Sequence, residues 1–477
     1  MAPRILITFS GTRGDAQPYL VAAQALQAAG FDVMTGGNED AASLAESFNV
    51  PFRATRMSAR EIMTNTLLVE AMTEQSIPKI VKVQEQVMSE GRRREELGKW
   101  YYLLQDFKPQ LVLCGGVSLV PVPPMAREMG IPALSFSLQR MRPSRYFTPF
   151  GFPRTQLGLV NLASWHFLHW VLLRGSRKKD GPAFEELFKK PAKEVLMSIQ
   201  EVNDLYACKA AYPSLIAESH VLHGDFPEDF NENCVRIGAM MPAASKQVGP
   251  EFGSTELDAM EAFLSQGEAP VFFGYGSMIC KNSKFMTLLS LRALRLTGLR
   301  GIFCAAWSEM SLSLVEGEED AKELKDFCRD HVLFVKFAPH GVLFPRCCAI
   351  VHHGGAGTTN ASARSGIPTI ILPLSFDQFD HADMVNTSGI GVGLKAMPSL
   401  APEEIAQAIC KCRETAAIRE KAREVGLAME KEDGPRELVD FVTAYMKDFV
   451  ETGRHVKLQE EMRRRRSSWL LWCLPCS

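Results

Sequence analysis

The 477-residue sequence predicts an α/β protein with a doubly wound parallel sheet in each of two halves. Three observations carry this expectation. Near the start, an apolar run at 4–9 passes through a turn at 10–15 into an amphipathic stretch at 16–29, closed by Gly30, and then into a second apolar run at 31–35. Far downstream the same order returns: apolar 349–351, a Gly-rich turn at 354–359, a short helical stretch ending at Gly366, and apolar 369–373. Between the two halves, Pro242, Gly249, Pro250 and Gly253 mark 242–255 as a linker. The expected domains are therefore 1–241 and 256–431, followed by a terminal helix at 432–450 and a basic, aromatic tail at 451–477 read as disordered.

The elements of the first half follow in order. Residues 57–100 read as polar helix, with a solvated charge run at 90–96. A strand at 109–114 ends in Gly115, Gly116, Val117 and Ser118, followed by a helix at 123–129 and a strand at 131–135. Residues 140–170 are aromatic, Pro-rich and without a clean period until Leu159. Irregular apolar segments over a rigid sheet commonly carry ligand contacts, so Phe147, Phe150, Phe152 and Trp165 are candidate walls for an apolar ligand, or fill a core. A helix at 201–213 and strands at 215–217 and 235–238 complete this half.

In the second half a helix at 257–264 precedes a strand at 270–278 that ends in a Gly-Ser turn. Helix 285–296, strand 300–305 and strand 332–337 come next, and helices are expected at 402–412, 417–431 and 438–450. The Gly-rich turn at 354–359 is the strongest chemical signal. Small residues admit a close ligand, and the free N–H groups and dipole of the following helix favour an anion such as phosphate. Asp377 and Gln378 lie just past the carboxyl end of the next strand, where open α/β sheets bind ligands.

Composition excludes several classes. Hydrophobic content of 46% and charged content of 23% are ordinary for a globular protein, and a net charge of −2 gives no reason to expect nucleic-acid binding. The 12 cysteines lack zinc spacing and read as reduced thiols of a cytoplasmic protein. No signal peptide is evident at the start, and the most apolar window, 157–173, is interrupted by His166 and His169 and falls short of the roughly 20 residues of a bilayer span. In the tail, four arginines at 463–466 precede Trp469, Trp472, Cys473 and Cys476, a pattern suited to peripheral contact with an anionic membrane surface or to a disordered end.

The run His352-His353-Gly354-Gly355-Ala356-Gly357-Thr358-Thr359, with Asp377-Gln378 after the next strand, resembles the donor-sugar signature of the UDP-glycosyltransferase superfamily, in its sterol glucosyltransferase-like branch. The opening turn Gly11-Thr12-Arg13-Gly14-Asp15 with Gln17-Pro18-Tyr19 resembles the same branch and some antibiotic glycosyltransferases. The resemblance runs from residue 4 to about 450 and is loose at 57–100. It implies the fold called GT-B, with an acceptor-binding first domain, a nucleotide-sugar-binding second domain, and a terminal helix that crosses back to the first.

The resemblance also implies roles. Ser277, Phe337, Ala338, His353, Gly355, Gly357, Thr358, Thr359, Asp377 and Gln378 would bind a UDP-sugar: His353 and the Gly-Thr turn at the diphosphate, Phe337 and Ala338 at the base, and Asp377 and Gln378 at the sugar hydroxyls. His352 reads as a packed strand end. Asp15 would be the general base for the acceptor hydroxyl, or the cap of the helix that follows it, or both. No cofactor and no metal are expected, UDP-sugar being a co-substrate. The expected activity is inverting transfer of a hexose, glucose foremost, to a sterol or similar lipid. The alternatives are transfer to a small hydrophobic natural product and non-catalytic sugar-nucleotide or lipid binding.

Overall fold

The computed structural model describes residues 2–150, 152, 155–198, 201–202, 205, 213–458 and 460–461. Most of the helix expected at 201–213, and the tail at 462–477 with its arginines, tryptophans and cysteines, lie outside them.

Two parallel sheets form the frame. The first holds seven strands, β1 (Arg4–Thr8), β2 (Asp32–Asn38), β3 (Phe52–Arg56), β4 (Leu111–Cys114), β5 (Ala133–Ser137), β6 (Ser214–Ile216) and β7 (Cys234–Arg236), in the order β3-β2-β1-β4-β5-β6-β7. The second holds β8 (Val271–Gly274), β9 (Gly301–Cys304), β10 (Val332–Val335), β11 (Ala349–His352), β12 (Thr369–Ile371) and β13 (Gly391–Gly393), in the order β10-β9-β8-β11-β12-β13. Strands such as Leu111–Cys114 and Val271–Gly274 are buried along their whole length. Helices cover both faces, so these strands read as unbroken apolar runs rather than alternating ones.

Strand order reverses between β1 and β4 in the first sheet and between β8 and β11 in the second. Ligands of open α/β sheets sit at such reversals, beyond the carboxyl ends of the strands. Both turns singled out in the sequence lie there. The 10–15 turn follows β1 and feeds helix α1 (Arg13–Ala28), and the 353–355 turn follows β11 and feeds a helix at Ala356–Arg364.

Three features of the chain path stand out, the third of them expected from the resemblance. Helices α2 (Thr66–Thr73) and α3 (Ile77–Val87) lie within the first half but pack their buried face, Leu68, Val69, Met72, Ile80 and Val83, into the second sheet's core with Phe273, Tyr275 and Met278. The segment expected to stay irregular to Leu159 is followed by one long helix, α4 (Gly158–Phe188), of 31 residues. Its periodicity is masked because apolar residues occupy its outer as well as its inner face. Finally, helix α7 (Gly434–Tyr445) returns to the first sheet, where Leu438, Val442, Tyr445 and Met446 join the core of Ile7, Leu20 and Leu26. Helices α5 (Ala356–Arg364) and α6 (Gln378–Ser388) complete the elements that build the site. Among the described residues no helix is long and apolar enough to cross a membrane.

The return of α7 depends on a backbone crossing. A Cβ on Gly434 would stand 2.6 Å from the Ala239 carbonyl oxygen and 2.8 Å from the carbonyl carbon of Gly238. Gly434→Val should therefore destabilise the protein by about 1–3 kcal/mol, the usual cost of overpacking. The check is the urea midpoint of the variant, and an unchanged midpoint would show that the crossing tolerates a side chain.

Candidate active site

The two turns meet. Pro18 in α1 has no N–H to offer the Gly14 carbonyl four residues earlier. That carbonyl faces the start of α5 instead: a Cβ built on Gly357 would lie 3.5 Å from Gly14 O. Two helix N-termini, one from each half, thus open on one crevice. The leading N–H groups of α5 (Ala356, Gly357, Thr358) precede the first intrahelical bond, Thr359 N to Gly355 O at 2.9 Å, and are left for a ligand.

Asp15 sits in the first turn of α1. Its Oδ2 accepts from the Thr12 backbone N–H at 2.8 Å and from Thr12 Oγ1 at 3.3 Å, so it closes a capping box. Burial pushes its carboxyl up to about 6, the nearby charge of Asp377 adds to this, and the Thr12 bonds oppose it. The cap and a titration poised near neutrality therefore coexist in one residue. Gly11 is required beside it: its φ is +125°, and a Cβ there would come within 2.2 Å of Asp15 Oδ2.

Asp377 lies at the N-cap of α6, across the cleft. Gln139, just past β5 in the first half, donates its side-chain amide to Asp377 Oδ2. His381, one helical turn on, stands 3.6 Å from the same oxygen and bonds the Gly354 carbonyl through Nδ1 at 2.6 Å. Burial raises the Asp377 carboxyl, while His381 and Gln139 lower it. Gln378 is buried, and its Oε1 accepts from Leu374 N at 2.8 Å and Ser375 N at 3.1 Å, so its oxygen braces the loop it follows.

The Gly-Thr run divides similarly. Thr359 donates its hydroxyl to Gly355 O at 2.9 Å and is buried, so it serves its own helix, contrary to the expectation of a hydroxyl aimed at a diphosphate. Thr358 remains partly exposed at the helix start. His352 is buried at the strand end and accepts from Gly354 N through Nδ1 at 3.0 Å. His353 is held down to about 4, chiefly by burial and then by His381, and is therefore neutral at physiological pH. Its Nδ1 is buried without a hydrogen-bond partner. Gly355 gives it room, because a Cβ there would meet His353 Nε2 at 2.5 Å. The Gly-Ser turn after β8 adjoins this ring: Gly276, at φ +58°, would place a Cβ 3.2 Å from His353 Cε1, and Ser277 follows, partly exposed.

Phe337 and Ala338 lie beyond β10. Glu256, just after the linker, holds the approach to them, its carboxylate accepting from Lys336 N and Phe337 N at 2.8 and 3.2 Å. The Arg13 guanidinium sits 5.3 Å from the Phe337 ring centroid and 4.9 Å from that of Phe252, and pairs with Glu251 at 3.2 Å. One side of the ring is thus occupied by a cation from the opening turn. His340 stacks on Phe344 at 4.3 Å.

The aromatic segment is partly core. Trp165 is 2% exposed, and its Nε1 donates to the Phe147 carbonyl at 3.0 Å. It is a floor beneath the segment rather than a wall facing a ligand. Phe147 packs edge-on against Trp165 and Phe230, while Phe150 and Phe152 are half-buried. Sequence reasoning missed Gln139, His381 and Arg13. Only His381 left a signal, four residues after Asp377 on a helical face.

Comparison with known proteins follows the same lines. Residues 312–445 match the family model of the erythromycin biosynthesis protein CIII-like C-terminal domain. Sterol 3-beta-glucosyltransferases of Kluyveromyces lactis and Komagataella phaffii are each 26% identical, over 89% and 90% of this chain. An Arabidopsis thaliana sterol 3-beta-glucosyltransferase is 32% identical over 37% of it. The chain spans about a third of the length of the two yeast relatives, 33% of each. Among solved structures, the calicheamicin glycosyltransferase CalG4 superposes with a TM-score of 0.59 at 15% identity, covering 94% of this chain and 99% of that one. The kitacinnamycin glycosyltransferase does so at 0.60 and 15%, covering 92% and 98%. The Streptomyces SsfS6 glycosyltransferase, solved with thymidine diphosphate, has a TM-score of 0.53 at 18% identity and covers 92% and 99%. In sequence the chain is similar to sterol 3-beta-glucosyltransferases, and its fold is the GT-B fold of the solved glycosyltransferases.

Proposed function

We propose that the protein is an inverting glycosyltransferase that moves glucose from UDP-glucose to the hydroxyl of a sterol or similar lipid. The observation that carries this reading is the approach of the two turns: a half-buried carboxylate on one helix N-terminus, Asp15, near the free N–H groups of the α5 N-terminus in the other half. In the reaction the acceptor oxygen attacks the anomeric carbon from the side opposite the leaving UDP, and Asp15 takes its proton. The bond from the anomeric carbon to the β-phosphate oxygen breaks, and charge develops on that phosphate. The free N–H groups of α5, Ser277 and neutral His353 would stabilise that charge. Asp377, steadied by Gln139 and His381, accepts from sugar hydroxyls. Phe337 and Ala338 receive the base. The names of the full-length relatives favour a sterol. The match to an antibiotic-biosynthesis domain favours a small hydrophobic natural product as the second reading.

Incubation with UDP-glucose and a mixed sterol and lipid extract should give a hexosylated lipid by mass spectrometry. Transfer only to polyketide-like acceptors would establish the second reading, and no transfer to either would reject catalysis. Asp15→Asn should lower kcat by roughly 100- to 10,000-fold with donor affinity little changed. Because Asp15 must be ionised to act as a base and titrates at about 6, kcat should fall as pH drops through that value. A flat profile there would remove Asp15 from proton transfer. Gly11→Ala, which drives a methyl onto the Asp15 carboxylate, should cost about 100-fold in kcat, the effect of a misplaced group, without loss of the fold. Unaltered turnover would show that the carboxylate position is not critical.

A further inference from the structure

The outer face of α4 is uncovered. Leu159, Phe167 and Trp170 are 72, 55 and 47% exposed, and Val160 and Val171 extend the patch. The helix is held by its other face, where Trp165, His169, Ser176, Asp180 and Phe184 are buried, so the exposed residues are fixed in their direction. Leu159, Ala163, Phe167, Trp170, Arg174 and Arg177 recur at three- and four-residue spacing and share one side. The first half of that side is apolar and aromatic. The second half is cationic, with Arg174, Arg177 and Lys178 exposed and the Arg174 guanidinium 5.4 Å from the Trp170 ring. From 157 to 179 there is no Asp or Glu.

We propose that this face of α4 docks on an anionic lipid bilayer, the helix lying in the plane of the interface. Trp, Phe and Leu on a helix with Lys and Arg alongside is the composition of an interfacial helix: the rings enter the headgroup region and the cations meet lipid phosphates and carboxylates. The helix cannot cross the bilayer, as noted above. A second copy fits the face poorly. An antiparallel partner would lay each apolar half on the other's cations, and a parallel one would set cation against cation. The patch also adjoins the segment proposed for the acceptor, since the Phe167 ring lies 6.4 Å from that of Phe152. This continuity rests on the proposed function; the docking itself does not.

The test is co-sedimentation of the full chain with phosphatidylcholine vesicles with and without phosphatidylserine, in the absence of sterol and nucleotide sugar, so that loss of activity and loss of docking are separate results. Binding should require phosphatidylserine and weaken as salt rises. Arg174→Glu with Arg177→Glu should reduce the bound fraction at least ~20-fold, each cation at an anionic surface contributing about fivefold. Leu159→Ser with Trp170→Ser should reduce it comparably, and both pairs should melt like the parent. Binding that survives these changes, or is lost only when residues 462–477 are deleted, would overturn the proposal. So would failure to bind phosphatidylserine vesicles, or a dimer in solution that the same substitutions dissociate.

Discussion

The structure depends on the approach of two helix N-termini across a cleft. Each sheet reverses its strand order once, and at each reversal the chain leaves a central strand through a tight turn into a helix. The partial positive end of a helix is unfavourable beside another unless an anion lies between them. Gly14 and Gly357 bring the two ends near enough to share one ligand, with the Gly14 carbonyl released by Pro18 as the nearest polar group. Glycine is required at two positions of these turns: at Gly11 and Gly355 a side chain would collide with the Asp15 carboxylate and the His353 imidazole.

Two acids lie near one another here, and burial raises both carboxyls. Asp15 is bound by the Thr12 cap and raised mainly by burial. Asp377 receives a hydrogen bond from Gln139 and lies beside His381. On the proposed function the different partners of the two carboxylates go with different work: Asp15 would exchange a proton and Asp377 would accept from sugar hydroxyls. The histidines follow the opposite logic. Burial keeps His353 and His340 neutral, so neither adds full positive charge beside the two carboxyls.

The strands and both motif turns were legible in the sequence because they are local. An apolar run buried on both faces and a Gly cluster before a helix need no partner to be recognised. What was not legible depends on distant parts of the chain. Nothing in residues 66–87 says that their apolar face joins the second sheet rather than the first. Gln139 is an unremarkable residue in a loop until folding places it against Asp377, 238 positions away. Thr359 and Gln378 match a ligand-binding pattern by type, yet the Thr359 hydroxyl and the Gln378 side-chain oxygen are committed to backbone. A motif names the residue types that a turn needs and does not separate those that build the turn from those that use it.

The same distinction explains the contrast between the two halves of the site. A diphosphate is small, charged and invariant, so backbone groups on rigid elements suffice to hold it, and the determinants compress into a short run of sequence. A flat apolar molecule offers one polar group and a large surface without directional contacts. On the proposed function its site would be made of shape, spread over Phe147, Phe150, Phe152 and the floor laid by Trp165. Such a surface has no compact signature, and its aromatic residues divide between core and wall according to which way a long helix is turned. That helix, α4, has its rotation set by Trp165, His169 and Phe184, and the rotation that buries those three leaves Phe167 and Trp170 outside.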